Sequence, residues 1–390
     1  MKNDNEVIIV GAGMVGLSLA ALLVKAGIRV AIVESQSPSF ESKIHAARVS
    51  AINVASESLF KSLGIWDLIE PLVTSLEKMK VWDSISGQHL EFDSAEAGVI
   101  RLGSIVSNQA LVKILWQYLE SQQGVNFVCP AEGETIEMHK DYVQLNLKDG
   151  SALKSALLVG ADGGHSWVRE SMRIKLNQYS YLQSAIVATI ESEKPHNNTA
   201  YQNFLPAGPL GILPLNETHQ SSIVWSNDTE KSEALMKLSD VEFNRELTNA
   251  SEFCLGKLKL LSVRHSLPLW MRHAKQYLQS RVVLVGDSAH TIHPLAGQGV
   301  NLGLMDAMLL SQKIIEAKAA GKDLNNFKLL RQYERERKAE NEVMIRLMSA
   351  FKGSFSIEAP LWVQLRGIGI GSINRFQALK NYMMRFAMGN

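Results

Sequence analysis

Cysteine is scarce. The chain holds two, Cys129 and Cys254, in no C-x-x-C pair, which leaves no basis for a disulfide framework, a thiolate zinc site or a dithiol redox centre. A reducing cytoplasm is the expected compartment. Net charge is nearly absent as well. Lys plus Arg number 40 against 39 Asp plus Glu, so no bulk field draws the chain to nucleic acid. No apolar run is continuous enough to span a bilayer. The first apolar stretch, from Val7, passes straight into glycines with no small-residue cleavage site behind it, and so does not read as a secretory leader. What is abundant is apolar residue, 46% against 20% charged, the balance of a globular protein with a large core. The length of 390 residues calls for two domains or one large elaborated one.

Glycine is where the chain becomes informative. Val7-Ile8-Ile9-Val10 reads as a short buried strand. Gly11-Ala12-Gly13-Met14-Val15-Gly16 follows at once as a G-x-G-x-x-G, and a helical stretch from Leu17 to Lys25 closes at Gly27. Arg29 to Val33 reads as a second strand with Glu34 at its end. Gly11 permits the tight turn, Gly13 lets backbone approach a pyrophosphate, and Gly16 lets helix and strand pack closely. Free N–H groups and a partial positive charge at the helix start then face the anion. Glu34 can accept from ribose hydroxyls, and its charge would repel a 2′-phosphate. A glycine-rich turn without a ligand is the weaker reading, because strand, helix, second strand and acid stand in order. The motif alone does not separate NAD from FAD.

Two later passages also deliver an acid to a strand end. Leu157 to Gly160 leads into Ala161-Asp162-Gly163-Gly164, and Arg281 to Val285 leads into Gly286-Asp287-Ser288-Ala289-His290. Open α/β sheets bind ligands at such ends, where a carboxylate can meet ligand hydroxyls. Taken singly, Asp-Gly and Gly-Asp are ordinary turns.

In this order and at these separations the three motifs resemble those of the class A flavoprotein monooxygenases, whose fold is typified by para-hydroxybenzoate hydroxylase. The resemblance narrows at His293-Pro294-Leu295-Ala296-Gly297-Gln298-Gly299-Val300-Asn301-Leu302-Gly303-Leu304-Met305-Asp306, which is similar to a signature of the ubiquinone-biosynthesis hydroxylases. Arg48 to Asn53, Leu63 to Asp67, Tyr181 to Ala185, and Phe204 to Leu210 followed by Leu213-Pro214-Leu215 resemble the same subfamily, nearly end to end. The fold it implies is α/β: a doubly wound, Rossmann-like FAD-binding domain, an antiparallel-sheet substrate domain and C-terminal helices. The division expected is residues 1–177 for the first part of the FAD domain, with an excursion to the substrate side around 76–100. Residues 178–268 form the substrate domain, 269–340 the second part of the FAD domain, and 341–390 a C-terminal helical region.

Carried over residue by residue, the resemblance implies non-covalent FAD contacts from Gly11, Gly13, Met14, Val15 and Gly16, then from Glu34, Arg48 and Asn108, with Gln109 as the alternative to Asn108. Asp162, Gly286 and Asp287 follow, and then the loop of Pro294, Gly297, Gln298, Gly299, Val300, Asn301 and Leu302. Pro294 and Gly299 are the expected positioners of flavin and oxygen; no acid–base residue is assigned, since the flavin carries the hard chemistry. The motif at Asp162 is expected to serve the nicotinamide donor too. Two departures stand out: Gln202-Asn203-Phe204 where the family has Gln-Arg-Phe, which puts an arginine contact in doubt, and Ser288 where it tends to Ala, with little expected effect.

Gly297, Gly299 and Gly303 imitate a second dinucleotide fingerprint, but no apolar strand precedes them and no acid-ended strand follows. A glycine turn opening a helix from Val300 to Ile315 fits better, its N-terminus at the flavin pyrimidine edge, where reduced flavin carries negative charge. Gly367-Ile368-Gly369-Ile370-Gly371 reads as a flexible break. His290 and His293 lack a matching ligand cluster, so no metal is expected; a histidine ordering the turn through a backbone hydrogen bond is.

The implied activity is NAD(P)H- and O2-dependent hydroxylation of a polyprenylated phenol or benzoquinol in ubiquinone biosynthesis, through a flavin C4a-hydroperoxide. Within the family the pattern leans to 2-polyprenyl-3-methyl-6-methoxy-1,4-benzoquinol. A hydroxylase of another phenol, a flavin-dependent polyprenyl reductase and, from a different class, a non-catalytic FAD-binding scaffold of a biosynthetic complex are the alternatives. From Val343 onward six Lys or Arg stand against one acid, Glu358, among apolar residues. Two readings stay open for this stretch: an amphipathic face on an anionic membrane, at the inner surface of the cytoplasmic membrane, or helices packed on the protein's own core. Assembly with other ubiquinone-biosynthesis proteins is a further expectation.

Overall fold

Val7–Val10, Val30–Val33 and Leu157–Gly160 are short apolar runs buried on both faces, the pattern of interior strands in a parallel sheet. A computed structural model describes residues 5–38, 48–292 and 298–355 and, beyond them, 359, 363, 364, 367, 380, 381, 384 and 388. In it these strands form the middle of a six-stranded sheet ordered Leu278–Gln279, Val282–Leu284, Leu157–Gly160, Val7–Val10, Val30–Val33, Val125–Val128. All neighbours are parallel except the first pair. The turns bearing Gly11, Asp162 and Asp287 therefore leave the same edge of the sheet. The first helix begins at Met14, ahead of the expected Leu17, because extended Gly13 serves as its N-cap; the second strand begins at Val30 rather than Arg29.

The second sheet has nine strands. Its order is His290–Thr291, His265–Ala274, Leu176–Ser192, Gln220–Asp228, Gly208–Pro214, Thr199–Leu205, Lys78–Asp83 and His89–Asp93, with Leu258–Leu260 also paired to Leu176–Ser192. The pairing is antiparallel except that Lys78–Asp83 runs parallel to Thr199–Leu205, so a hairpin from the first half of the chain extends the sheet of the second. One face is sealed. Ile186, Leu210, Ile212, Ile223 and Trp225 pack under Leu235, Phe243 and Leu247 of two covering helices, Thr229–Lys237 and Asp240–Ala250. Each such buried side chain contributes about 1.5–3 kcal/mol. The opposite face turns toward the first sheet. There Ala185, Leu269 and Met271 meet Ile292 and Leu302, while Ala200 and Leu213 meet Val49, Ala51 and Ile105 of a small three-stranded sheet.

Two long helices tie the sheets together. Gln298–Ala319 contains the expected 300–315 and packs on Met14–Lys25. Phe327–Phe355 runs unbroken across residue 340, where the sequence reading divides the chain. It packs Met344 and Ile345 against the second sheet and stacks Phe355 on Phe204 with ring centroids 3.9 Å apart. Further on, Lys380, Met384 and Met388 are buried at helical spacing, and Lys380 pairs with Glu96 at 2.6 Å. For these side chains the protein's own core is the partner. Gly367 is helical rather than a break; 368–371 lie outside the described residues. Among the described residues no helix is long and apolar enough to cross a membrane.

Candidate active site

The three turns converge because their glycines let them touch. A Cβ at Gly11 (φ +107°) would stand 2.4 Å from the Ala161 carbonyl oxygen, and one at Gly16 would stand 2.1 Å from Gly11 O; neither is tolerable. Among the described residues nothing stands within 4 Å of a Cβ at Gly13. As N-cap it offers no side-chain cap, and the first turn holds no acid, so the N–H groups at the helix start remain for an anion. Glu34 closes the loop: its Oε2 accepts from Ala12 N at 2.8 Å and its Oε1 from Gln36 N at 3.1 Å. Val15 reaches furthest. A Cβ on Gly303 would meet Val15 Cγ2 at 2.6 Å, and one on Gly286 would meet it at 3.2 Å, so this valine wedges the first turn against both the Gly-Asp turn and the last helix. Gly303 thus has a packing reason that the sequence reading, occupied with the fingerprint look-alike, missed.

Asp162 spends its carboxylate locally, accepting from Ser166 Oγ at 2.5 Å and Val168 N at 3.0 Å to cap the short helix Trp167–Ser171. Burial pushes its carboxyl up against the pull of those bonds. Arg169, to which sequence reasoning gave no role, is buried and joins two turns, donating to Ser288 O at 2.9 Å and Gly164 O at 3.0 Å. Ser288 is more than a neutral replacement, since its buried hydroxyl donates to Gly160 O at 2.6 Å. Asp287 opens onto the cleft yet is set deeply enough that burial pushes its carboxyl up, against the fields of His290, Arg48 and Arg272.

His290 departs from expectation. It does not order the turn through a backbone bond; its Nε2 lies 2.6 Å from Asp306 Oδ2. Asp306, fully buried, also accepts from Gly286 N at 2.9 Å and from Arg337 Nε at 2.6 Å. Burial drives the Asp306 carboxyl up, but His290 and Arg337 hold it below the ordinary range. Arg337 continues to Leu302 O and Asn341, Asn341 donates to the Tyr277 hydroxyl, and that hydroxyl bonds His273 Nε2. A buried polar chain thus bolts the long helix to the Gly-Asp turn. The motif ends at Asp306, but nothing in the sequence pairs it with a residue 31 positions away.

Asn301 and Asn108 clamp the strand Val49–Ile52. Asn301 donates to Ala51 O at 2.7 Å and accepts from Asn53 N and Ser56 Oγ; Asn108 accepts from Ser50 Oγ at 2.6 Å. Arg48, beside that strand, is exposed. Among the described residues nothing stands within 4 Å of a Cβ at Gly299, Val300 is half-buried, and Leu302 packs against Tyr181 and Met344. Pro294, Gly297 and His293, with the side chain of Gln298, lie outside the described residues. Among the described residues no cluster of His, Cys, Asp and Glu could hold a metal.

A family model described as FAD binding domain matches residues 4–347. The 3-demethoxyubiquinol 3-hydroxylase of Escherichia coli (strain K12) is 34% identical over 391 residues, covering 100% of this chain and 99% of that protein. The ubiquinone hydroxylase UbiL of Rhodospirillum rubrum is 34% identical, covering 98% and 89%. The chain belongs to the FAD-binding family of the ubiquinone hydroxylases. The crystal structure of p-nitrophenol 4-monooxygenase PnpA from Pseudomonas putida DLL-E4 shares the fold, with a TM-score of 0.83 at 18% identity over 99% of this chain and 98% of that one.

Family membership makes this an FAD-dependent monooxygenase, and the residues present fit the cofactor. Among the described residues nothing stands within 4 Å of a Cβ at Gly13 or Gly299, which leaves bare backbone for a ligand. Two helices begin here without first-turn acids, and Glu34 and Asp287 place carboxylates just past strand ends on the same edge of the sheet. The departure at Asn203 from the ubiquinone-hydroxylase pattern lies away from this cleft. Asn203 sits in register with Leu210 on the sealed face and donates to Ala250 O at 2.9 Å, at the end of a covering helix.

Proposed function

We propose that this hydroxylase inserts one oxygen atom into the ring of a polyprenylated benzoquinol in ubiquinone biosynthesis, with 2-polyprenyl-3-methyl-6-methoxy-1,4-benzoquinol as substrate. The observation that carries the reading is the wall facing the cofactor cleft. Ala185, Val224, Leu213, Leu269 and Met271 make it apolar over the span of four strands, suited to a flat ring with a hydrocarbon tail. The full-length relation to a protein named for demethoxyubiquinol hydroxylation supports the same substrate class.

Bound here, FAD would supply the chemistry for hydride uptake from NAD(P)H and for O2 activation, one oxygen atom going to the ring and the other leaving as water. The chain's part is positioning. The Gly11–Gly16 loop would hold the pyrophosphate, Glu34 a ribose, and Asp287 the ribityl hydroxyls. Asn301 has committed its side chain to the strand Val49–Ile52, so its contribution falls to backbone N–H at the start of Gln298–Ala319. His165 and Arg272, with Nε2 and Nη2 3.4 Å apart beside the Asp162 turn, offer cationic and hydrogen-bonding groups for the phosphates of the nicotinamide donor. In this reading residues 1–177 and 269–340 form the cofactor half and 178–268 the substrate half, joined by the 76–100 hairpin. Of the two readings open for the stretch after Val343, the packing of Met344, Ile345, Lys380, Met384 and Met388 on the protein's own core supports the second.

The test is mass spectrometry of quinone intermediates in cells with and without the gene, beside NAD(P)H- and O2-dependent hydroxylation by the purified holoenzyme. Accumulation of a prenylated ring short of one hydroxyl is expected. An unchanged quinone profile refutes the assignment.

A further inference from the structure

Strand Gly208–Pro214 has neighbours on both sides, yet every second residue of it is only half-buried. Leu210 and Ile212 belong to the sealed face. Pro209, Gly211 and Leu213 look the other way, toward the cofactor half, and so do Gln202 and Val224, which flank Gly211 in register and are also half-buried. An interior strand that is half-exposed on one face lines a cleft. Both flanks of this stretch are closed, on one side where Val224 and Ala185 meet Leu302 and Met344, on the other where Leu213 meets Val49 and Ala51. Gly211 lies between the two closures.

Among the described residues nothing asks for glycine there. Of them a Cβ would meet only Val224 O, at an ordinary 3.7 Å, and the backbone is not left-handed. In a strand glycine is a net cost, having no side chain to pack and more freedom to lose. What it provides is room. We propose that Gly211 is a specificity-determining residue: the side chain it lacks leaves the space in which the substrate's ring lies flat on the sheet. Gln202, directly across the strand pair, carries the hydrogen bond to a ring oxygen. Cross-strand neighbours stand about 4.5–5.5 Å apart at Cβ, so the Gln202 carboxamide reaches the edge of a ring centred over Gly211. The proposal rests on the hydroxylase reading above.

The experiment uses purified holoenzyme and, as probe, a methoxy-benzoquinol carrying one prenyl unit. Gly211→Val should lower kcat/KM about tenfold or more, the scale on which a pocket rejects a misfitting group. It should also divert NAD(P)H oxidation to hydrogen peroxide, with Gly211→Ala intermediate. FAD content and melting temperature should hold, because a β-branched residue suits an open strand position. Gln202→Leu, similar in size, should raise KM with little change in FAD binding. A wild type that hydroxylates the probe beside a Gly211→Val variant of equal kcat/KM and coupling overturns this inference alone. A wild type that does not hydroxylate the probe overturns the hydroxylase reading and the inference with it.

Discussion

Replacing Asp306 with alanine removes the hub of a fully buried network. The change strips Arg337 Nε and His290 Nε2 of a carboxylate at 2.6 Å each and leaves the Gly286 N–H without its acceptor at 2.9 Å. Arg337, itself buried, keeps Leu302 O, Asn341 and Glu340, so its charge is not wholly stranded. Breaking one side of a buried ion pair costs about 3–5 kcal/mol, which for a chain of this size corresponds to a melting temperature lower by roughly 4–6 °C. Asp306→Asn keeps an acceptor for Gly286 N–H but not the charge, and should lose about half as much, in line with the value of a neutral hydrogen bond. Because the Gly286 N–H fixes the turn that carries Asp287, FAD affinity should fall in both variants, and further in Asp306→Ala. Thermal unfolding by circular dichroism and titration of apoprotein with FAD, followed by flavin fluorescence, measure the two effects. An Asp306→Ala protein that melts within a degree of wild type would refute the claim that this network holds the long helix to the turn.

Three other expectations follow from the same geometry. His273 is buried beside Tyr277, and burial, then His290 and Lys338, lower its pKa from 6.5 to about 4. Because the folded value is the lower one, its contribution is present above pH 6.5 and is lost as the pH falls toward 4, about 3 kcal/mol in all; His273→Gln should flatten that part of the stability-against-pH curve. Asn203→Ala should lower stability by about 1 kcal/mol through the lost bond to Ala250 O and leave kcat/KM unchanged. A catalytic defect in a folded Asn203→Ala protein would show that the sheet faces are misassigned. Gly16→Ala should fold poorly or purify without FAD, measured as the flavin-to-protein absorbance ratio, since its Cβ would press on Gly11 O at 2.1 Å.

Elements set by short-range chemistry were legible in the sequence. The apolar runs, the glycine turn and Glu34 stand within one contiguous unit, and the physical needs of such a turn are local. Thus Gly11, Gly13, Gly16, Glu34, Asp162 and Asp287 were all named from spacing or family resemblance, and the structure brings their turns to one edge of one sheet. The helix at 300–315 was found, though its start at Gln298 was not. His290 was given the wrong partner, because a histidine's neighbours in sequence do not reveal a carboxylate one helix away. Asn203 looked like a gap in the site, because strand alternation says which residues share a face but not which face meets the cofactor.

Residue order alone implies a dinucleotide cradle, nominates the residues that would build it and, through resemblance, names FAD as the cofactor. What those residues lean on is settled by folding: Val15 against Gly303, Arg169 across two turns, Asp306 between two helices, and the bare backbone at Gly211. These are contacts between segments far apart in the chain. Their energy comes from burial and from charges sharing a water-poor interior, and neither is defined until the sheets and helices have closed on one another.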